Sequence, residues 1–271
     1  MQPSTPWNTG RVHGSLPDRT HHVEADRGLQ DEVLRTAPEL RQVAAATRTW
    51  QARVVRHLAG EAGITQFLDL GTGPPPREST HQVARRVSPG SAVVYAVPDR
   101  SAAEQAGALA AGDRTSFAAA DPARPREVLA DPAVREHLDL SKPVGLLHCA
   151  ALQHVPDEQD PSAIMAEYAA GLAPGSHVAV AHWWDPEDEG VGSSLARRIE
   201  GIHRSSGAAA NARYRTRAEI EALFGGLEFL RPLPEAPPGV APLHRWWPDG
   251  TQAEDPPLIT RLVLGGIARK P

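Results

Sequence analysis

Two glycines follow a short apolar stretch early in the chain. The residues Phe67-Leu68-Asp69-Leu70 run directly into Gly71-Thr72-Gly73. A glycine has no Cβ, so its backbone can approach a ligand closely, and Thr72 adds a hydroxyl between the two glycines. A strand that ends in such a turn is typical of a doubly wound α/β domain, which binds nucleotide-like ligands at the carboxyl ends of its strands.

Three prolines follow the glycines and narrow the kind of ligand. The residues Pro74-Pro75-Pro76 stand where dinucleotide-binding proteins have a third glycine and a helix N-terminus. Proline has no amide hydrogen to bind a pyrophosphate, so the sequence favours a ligand without phosphates. In the next strand, Val97 takes the place of the acid that normally binds ribose hydroxyls, and Asp99 comes two residues later.

Histidines at or after two later strands suggest acid–base chemistry. His148, His154 and His182 fall on or just after strands that we expect to be neighbours. His154 and His182 are the candidates for a general base at the mouth of the pocket, because His148 lies within its strand. The alternative for each is a hydrogen-bonded loop histidine. Their spacing matches no metal signature, so we expect no bound metal.

Aromatic pairs are candidates for pocket walls. Trp183-Trp184 and Trp246-Trp247 could line an apolar substrate pocket, or they could close the core or a dimer contact. His21 and His22 lie in the N-terminal arm, which could fold over the pocket as a lid; otherwise they are exposed to solvent.

Composition limits the class of protein. The chain has 271 residues, a net charge of −5 with acids and bases interspersed, and one cysteine, Cys149. A nucleic-acid partner needs a clustered basic face, which is absent from the sequence, and no apolar stretch is long enough to span a membrane. No secretory signal is visible and no internal disulfide can form, so we expect a cytoplasmic protein, with a homodimer possible.

The elements that must position these residues alternate along the chain. Residues 1–60 form an arm and helices of the same domain, and residues 61–271 form a Rossmann-like domain. Predicted strands are Ile64–Leu70, Ala92–Val97, Thr115–Ala120, Val144–Leu152, His177–Trp183, Leu227–Leu230 and Leu262–Ile267. Two or three helices are predicted in Arg27–His57, ahead of the first strand. The later predicted helices are His81–Val87, Ala102–Ala111, Pro125–Leu138, Asp160–Leu172, Leu195–Arg204 and one that begins with a capping box at Thr216–Glu219. This order predicts a largely parallel sheet, with the last two strands paired as a hairpin at its edge.

Five motifs are distributed along the chain: Gly63-Ile64-Thr65-Gln66-Phe67-Leu68-Asp69-Leu70-Gly71-Thr72-Gly73, Leu129-Ala130-Asp131-Pro132-Ala133-Val134-Arg135, Val155-Pro156-Asp157, Leu172-Ala173-Pro174-Gly175-Ser176 and Arg217-Ala218-Glu219-Ile220. In these motifs the sequence resembles an actinobacterial family of S-adenosylmethionine-dependent methyltransferases, formerly a domain of unknown function, with the class I methyltransferase fold. The resemblance implies a seven-stranded sheet that is mostly parallel, with an antiparallel last strand.

The resemblance also implies roles for individual residues. Asp69, Gly71, Thr72 and Gly73 would form the loop beneath the methionine part of the cofactor, and Asp121 would lie beside the adenine; Asp121 could instead be a plain turn residue. Members usually carry an acid in place of Val97, a histidine in place of Gln153, and a Gly-Gly-Lys-Asp-Asn stretch in place of Asp18–His22. We assign Gln153, Trp183, Trp184, His21 and His22 to the substrate pocket.

Three functions fit this sequence. The first is an S-adenosylmethionine-dependent enzyme that methylates a small molecule, in bacterial specialised metabolism. The second is an enzyme of the same fold that has lost methyl transfer and catalyses a cyclisation or elimination. The third is a non-catalytic ligand-binding protein. The resemblance alone favours the first function. The departures at Val97 and in Asp18–His22 add weight to the second.

Overall fold

The computed structural model describes residues 34, 35, 38–70, 79–98, 114–149, 151–205, 212–247 and 256–271. The predicted arm with His21 and His22, the turn Gly71–Gly73, Asp99 and the helix predicted at Ala102–Ala111 lie outside the described residues. Among the described residues, no helix is both long and apolar enough to cross a bilayer.

A mixed sheet forms the centre of the domain. Its strands are β1 Gln66–Leu70, β2 Ala92–Ala96, β3 Thr115–Ala118, β4 Gly145–Cys149, β5 His177–Trp183, β6 Glu228–Phe229, β7 Ala241–Pro242 and β8 Val263–Arg269. They are ordered β3-β2-β1-β4-β5-β8-β6, and β7 also pairs with β8. The first five strands are parallel, whereas β8 is antiparallel to β5, β6 and β7.

The mostly parallel sheet with an antiparallel last strand is therefore confirmed, but the position of that strand differs from the prediction. β8 lies inside the sheet, with β5 on one side and with β6 and β7 on the other. The strand β7 was not predicted, because two residues that include Pro242 give no alternating pattern.

Helices cover both faces of the sheet. They are α1 Leu40–Gly60, α2 Thr80–Val87, α3 Pro125–Ala130, α4 Pro132–His137, α5 Pro161–Gly171, α6 Val191–Ser205, α7 Arg217–Ala222 and α8 Leu258–Arg261. One core lies between the sheet and α1, α2, α6 and α8, and the other between the sheet and α3, α4, α5 and α7. This is the doubly wound arrangement, in which ligands bind at the carboxyl edge of the parallel strands.

Two predicted elements are divided in the structure. The helix predicted over Pro125–Leu138 is broken at Asp131, which is extended because it precedes Pro132, and whose side chain accepts the Ala133 N–H to cap α4. The strand predicted to reach Leu152 ends at Cys149, and the chain turns into a short 3₁₀ helix, Leu152–His154. This second break turns the chain at the carboxyl end of β4.

Trp246 belongs to the core rather than to a pocket wall. Its ring is fully buried and meets Trp50 of α1 edge to face, with the ring centres 6.4 Å apart. Its indole N–H donates to the Gly265 carbonyl in β8 at 2.6 Å. The neighbouring Trp247 stacks on His57 of α1 with 3.8 Å between ring centres. The pair therefore fastens the chain between β7 and α8 onto α1.

Gly265 tests how closely α1 packs on the sheet. A Cβ at this position would lie 2.6 Å from two atoms of the Trp50 ring and 2.8 Å from Leu243, all in the core. We expect Gly265→Ala to lower the free energy of unfolding by about 1–3 kcal/mol because the core is overpacked. The matched control is Gly201→Ala in α6, where a Cβ meets nothing within 4 Å; it should raise stability by about 0.5–1 kcal/mol. Urea unfolding of both variants measures the difference, and equal effects of the two would contradict the packing.

Candidate active site at the carboxyl edge

A buried carboxylate fixes the end of β1. Asp69 is 1% exposed, and its Oδ2 accepts hydrogen bonds from Gln51 Nε2 at 2.8 Å and from Thr80 Oγ1 at 2.6 Å. Gln51 lies in α1, and Thr80 is the first residue of α2. The carboxylate thus ties β1 to two helices at the point where the chain leaves the strand for the glycine turn.

The chain after the turn is fixed as well. Ser79 caps α2 in a capping box with Gln82, which satisfies two free amides of the helix start. The Tyr95 hydroxyl of β2 accepts the His81 N–H at 3.1 Å and lies 3.0 Å from His81 Nδ1. Burial and the charge of Asp69 raise the pKa of Tyr95, so its hydroxyl stays protonated. Asp69 and the start of α2, the described residues on either side of positions 71–78, are therefore held at the same corner of the domain.

The ends of β2 and β3 carry few polar groups. Val97 is 5% exposed, and its amide donates to the Ala118 carbonyl at 3.0 Å. Asp121 is exposed, and its Oδ1 accepts the Ala123 N–H at 2.9 Å, so it shapes its own turn. Asp69, Val97 and Asp121 lie at the same edge of the sheet, as the sequence predicts, while Gly71, Thr72, Gly73 and Asp99 are outside the described residues.

A buried amide without a partner follows β4. The side chain of Gln153 is fully buried, and within the described part of the chain neither its Oε1 nor its Nε2 has a hydrogen-bond partner. Each buried polar group left in this state costs about 1–3 kcal/mol. Most buried polar groups are satisfied, so this one is a candidate contact for a bound molecule.

Segment 212–215 spans the ends of β4 and β5. The amide of Arg213 donates to the Gln153 carbonyl at 2.8 Å, and that of Arg215 donates to the Trp183 carbonyl at 3.0 Å. In return the Asp185 amide donates to the Arg215 carbonyl at 2.9 Å. The segment therefore holds the turn after β4 and the end of β5 in a fixed relation.

Sequence reasoning missed Arg215, the residue before the Thr216 capping box. The residue is only 6% exposed, and its Nη2 donates to Asp157 Oδ1 at 2.5 Å. Its Nε is buried with no hydrogen-bond partner in the described chain. The local sequence indicates a helix start, and only the pairing of segment 212–215 with the strand ends brings this cation to the site.

Two histidines on the strands lie in the core on the α5 side. Alternation along β4 and β5 places His148 and His182 there, and both are fully buried. His182 Nδ1 lies 2.8 Å from the Trp183 carbonyl and must donate to it, so Nε2 carries the lone pair. Burial lowers the pKa of each ring to about 3. His182 is therefore neutral and enclosed by the core, whereas the sequence prediction placed it at the mouth of the pocket.

His154 lies on the opposite, α6 side with aromatic neighbours. Its ring centre is 5.6 Å from that of Trp183, which is 5.0 Å from Tyr214 and 6.0 Å from His203. Trp183 is 2% exposed, so it packs in the core rather than lining a pocket wall. Trp184 is half-buried at the end of β5, and the guanidinium of Arg217 lies over its ring at 5.8 Å.

The described residues contain no group of three or more histidine, cysteine, aspartate or glutamate side chains that could hold a metal ion. The polar groups gathered at this edge are a carboxylate that fixes the turn, an amide, a guanidinium and imidazoles. Such a set can bind and orient an organic molecule and move a proton.

The sequence matches the family model of the S-adenosyl methyltransferases over residues 7–271. A candidate methyltransferase from Thermobifida fusca is 32% identical, with 98% of this chain and 95% of that chain covered at a TM-score of 0.85. A member of the domain-of-unknown-function family 574 from Streptomyces avermitilis is also 32% identical, with 98% of each chain covered and a TM-score of 0.85. The mitomycin 7-O-methyltransferase shares the fold at 18% identity and a TM-score of 0.51, over 96% of this chain and 67% of that one. No curated protein matches the chain.

The Thr80 hydroxyl should contribute measurably to stability through Asp69. We expect Thr80→Val to lower the free energy of unfolding by about 1.5–3 kcal/mol, because it removes a donor to a buried charge. The control is Thr49→Val in the same region, whose exposed hydroxyl donates to the Ala45 carbonyl of its own helix; it should change stability by less than about 0.5 kcal/mol. Urea unfolding measures both, and equal losses would show that the Asp69 contact contributes nothing beyond an ordinary surface bond.

The buried histidines predict acid sensitivity. Burial lowers the pKa of His148 in the folded protein to about 3, whereas the same side chain in the unfolded chain has a pKa of about 6.5. As the pH falls, the unfolded state therefore binds the proton first. Stability from this group is therefore complete above about pH 6.5 and is lost as pH falls, by up to about 1.4 kcal/mol per pH unit. We expect His148→Leu to reduce the slope of unfolding free energy against pH between about 6 and 4. An unchanged slope would contradict a neutral, buried His148.

Proposed function

The chain belongs to the S-adenosyl methyltransferase family, whose cofactor is S-adenosylmethionine, and we propose that it methylates a small molecule at the carboxyl edge of its sheet. One observation carries this proposal. The Gln153 amide lies just after β4, the strand next to β1, where it is fully buried and has no hydrogen-bond partner among the described residues. A polar group desolvated in this way at the ligand edge is expected where an acceptor must be held.

The described residues fit an uncharged nucleoside attached to an amino acid. Asp69 is occupied by Gln51 and Thr80, so it acts as a positioning residue for the turn 71–73, which lies beneath the methionine part of the cofactor in this proposal. Val97 and Asp121 would lie beside the nucleoside. The buried Val97 side chain offers apolar contact in place of a hydrogen bond to ribose.

Methyl transfer needs little chemistry from the protein. The bound cofactor supplies an electrophilic methyl group on a positively charged sulfur, and proximity and alignment lower the barrier to in-line displacement. In this proposal Gln153 holds the acceptor, and His154 accepts a proton from it when the nucleophile carries one. The neutral, buried His182 orients the Trp183 carbonyl, which also binds the Arg215 amide.

A small acceptor fits the charge of the molecule better than a nucleic acid does. The net charge is −5, and phosphate backbones are bound by clustered basic side chains. Two arginines near the site, Arg213 and Arg215, are already paired with Asp157, so they are less available to bind phosphates.

Calorimetric titration tests cofactor binding. We expect the protein to bind S-adenosylmethionine and S-adenosylhomocysteine with a Kd of about 1 μM to tens of micromolar. Val97→Asp should tighten both by about tenfold, because a carboxylate here can accept ribose hydrogen bonds. Val97→Leu is the matched control and should leave the affinity unchanged. If neither cofactor form binds, the proposed function is wrong; if Val97→Asp binds no more tightly than the native protein, Val97 does not weaken the site.

A further inference from the structure

The turn after β4 carries both residues that the proposed function assigns to the acceptor, Gln153 and His154. It is a single 3₁₀ turn, Leu152–His154, in which the His154 amide donates to the Ala151 carbonyl at 3.1 Å. A 3₁₀ turn this short has few hydrogen bonds of its own, and their geometry is poorer than in an α-helix. Contacts with other segments must therefore fix where its side chains lie.

The Val155-Pro156-Asp157 motif supplies one of these contacts. Asp157 Oδ1 accepts a hydrogen bond from Arg215 Nη2 at 2.5 Å, and Asp157 Oδ2 lies 3.5 Å from Arg213 Nε. Arg215 is 6% exposed, and the hydrogen bond described for its guanidinium is the one to Asp157. A buried cation holds its acidic partner tightly, because separation would leave the buried charge uncompensated. Asp157 is thereby held in place shortly after His154.

Arg215 is itself fixed to the end of β5 through its backbone. Its amide donates to the Trp183 carbonyl at 3.0 Å, and its carbonyl accepts the Asp185 amide at 2.9 Å. The ring of Trp183 in turn meets the ring of His154, with 5.6 Å between the ring centres. The imidazole of His154 is therefore held from two directions, by the Trp183 ring and, through the chain, by the ion pair of Asp157 with Arg215.

The side of the site beneath the cofactor is fixed by different groups. There the Asp69 carboxylate accepts hydrogen bonds from Gln51 and Thr80. No hydrogen bond or ion pair described in the structure joins these three residues to Asp157 or Arg215. The two sides of the site can therefore be disturbed separately.

We propose that Asp157 and Arg215 are positioning residues for methyl transfer, which act through the turn after β4 on the acceptor side and leave the cofactor side unchanged. This inference rests on the proposed function, since it concerns how Gln153 and His154 are held for the acceptor. Neither member of the ion pair needs to touch the substrate. A misplacement of about 1 Å in a group near the reacting atoms is enough to slow a transfer about a hundredfold.

Variants of Asp157 separate position from charge. Asp157→Ala removes the acceptor of the Arg215 hydrogen bond, whereas Asp157→Asn removes the same charge and keeps an acceptor oxygen in its place. The matched control is Glu158→Gln, at an exposed acid that lines the same small cavity as Asp157. Proton–carbon NMR of the histidine rings is recorded on the full-length protein, free and saturated with S-adenosylhomocysteine. The signal of His154 is identified by its loss in His154→Gln.

We expect Asp157→Ala to move the His154 ring signal and to speed hydrogen exchange of the His154 amide at least about tenfold, because the turn opens more often. Asp157→Asn should restore most of the native behaviour in both measurements, and Glu158→Gln should change neither. A purely electrostatic effect of Asp157 would move the signal equally in the alanine and asparagine variants. A merely structural role would lower the urea midpoint and leave the signal in place.

Arg215→Lys tests the other member of the pair. It keeps both charges but replaces the planar fork by a single ammonium on a different stem, so we expect the His154 signal to move although the net charge is the same. This variant keeps the test decisive if Asp157→Ala does not fold.

Calorimetry with S-adenosylhomocysteine supplies the opposite comparison. Asp157→Ala should change the Kd for S-adenosylhomocysteine by no more than about twofold, because the cofactor side is fixed by Asp69. Thr80→Val, which disturbs the Asp69 side, should leave the His154 signal where it lies in the native protein.

Each outcome bears on the inference. An unmoved His154 signal in both Asp157→Ala and Arg215→Lys, equal movement in the alanine and asparagine variants, or movement as large in Thr80→Val overturns it. If Asp157→Ala loses affinity for S-adenosylhomocysteine, the pair also positions the cofactor, and its restriction to the acceptor side is wrong. If S-adenosylhomocysteine binds no form of the protein, the proposed function fails, and the NMR comparison on the cofactor-free protein still decides whether the pair positions His154.

Discussion

The site depends on one buried charge. The Asp69 carboxylate accepts hydrogen bonds from Gln51 of α1 and from Thr80, the first residue of α2. Asp69 lies near the end of β1, two residues before Gly71. A charge in the interior is costly unless it is hydrogen-bonded, so the two helices can move little without leaving it unsatisfied. The hydrogen bonds of Asp69 therefore hold the β1 side of the carboxyl edge of the sheet in place. On the β4 and β5 side, segment 212–215 holds the strand ends through backbone hydrogen bonds and through the ion pair of Arg215 with Asp157.

Much of this fold can be predicted from the sequence because its signals are local. Apolar runs bounded by glycine and proline place β1, β2 and β5 within a few residues of their observed bounds, and the capping box at Thr216 marks the start of α7. The helix boundaries at Pro161 and Gly171 follow from a capping aspartate and a closing proline–glycine pair. The break at Asp131 has a local signal as well, because Asp131 precedes Pro132. The sequence prediction nevertheless ran one helix through it, because the residues on both sides favour a helix.

The site is harder to predict, because its geometry comes from contacts between distant segments. Whether a histidine near a strand end faces the pocket or the interior depends on the residue at which the strand stops, and alternation sends His182 into the core. Arg215 reaches the site only because its segment pairs with the end of β5 and with the turn after β4, some thirty and sixty positions earlier. No spacing rule connects those positions. Likewise, the missing partners of Gln153 are a property of the folded interior and leave no mark on the sequence.

The place of β8 has a consequence for how the chain is made. This strand pairs with β5 on one side and with β6 and β7 on the other, yet the ribosome synthesises it after all three. Until it emerges, the hydrophobic β5 has an open edge with unpaired amides and carbonyls, which is the template that promotes association with other chains. β6 and β7 are two residues long, and among the described strands each pairs only with β8. On the ribosome, the five parallel strands can therefore pair before β8 is made, whereas β6 and β7 cannot join the sheet until β8 emerges, and an intermediate with such an open edge is prone to aggregate.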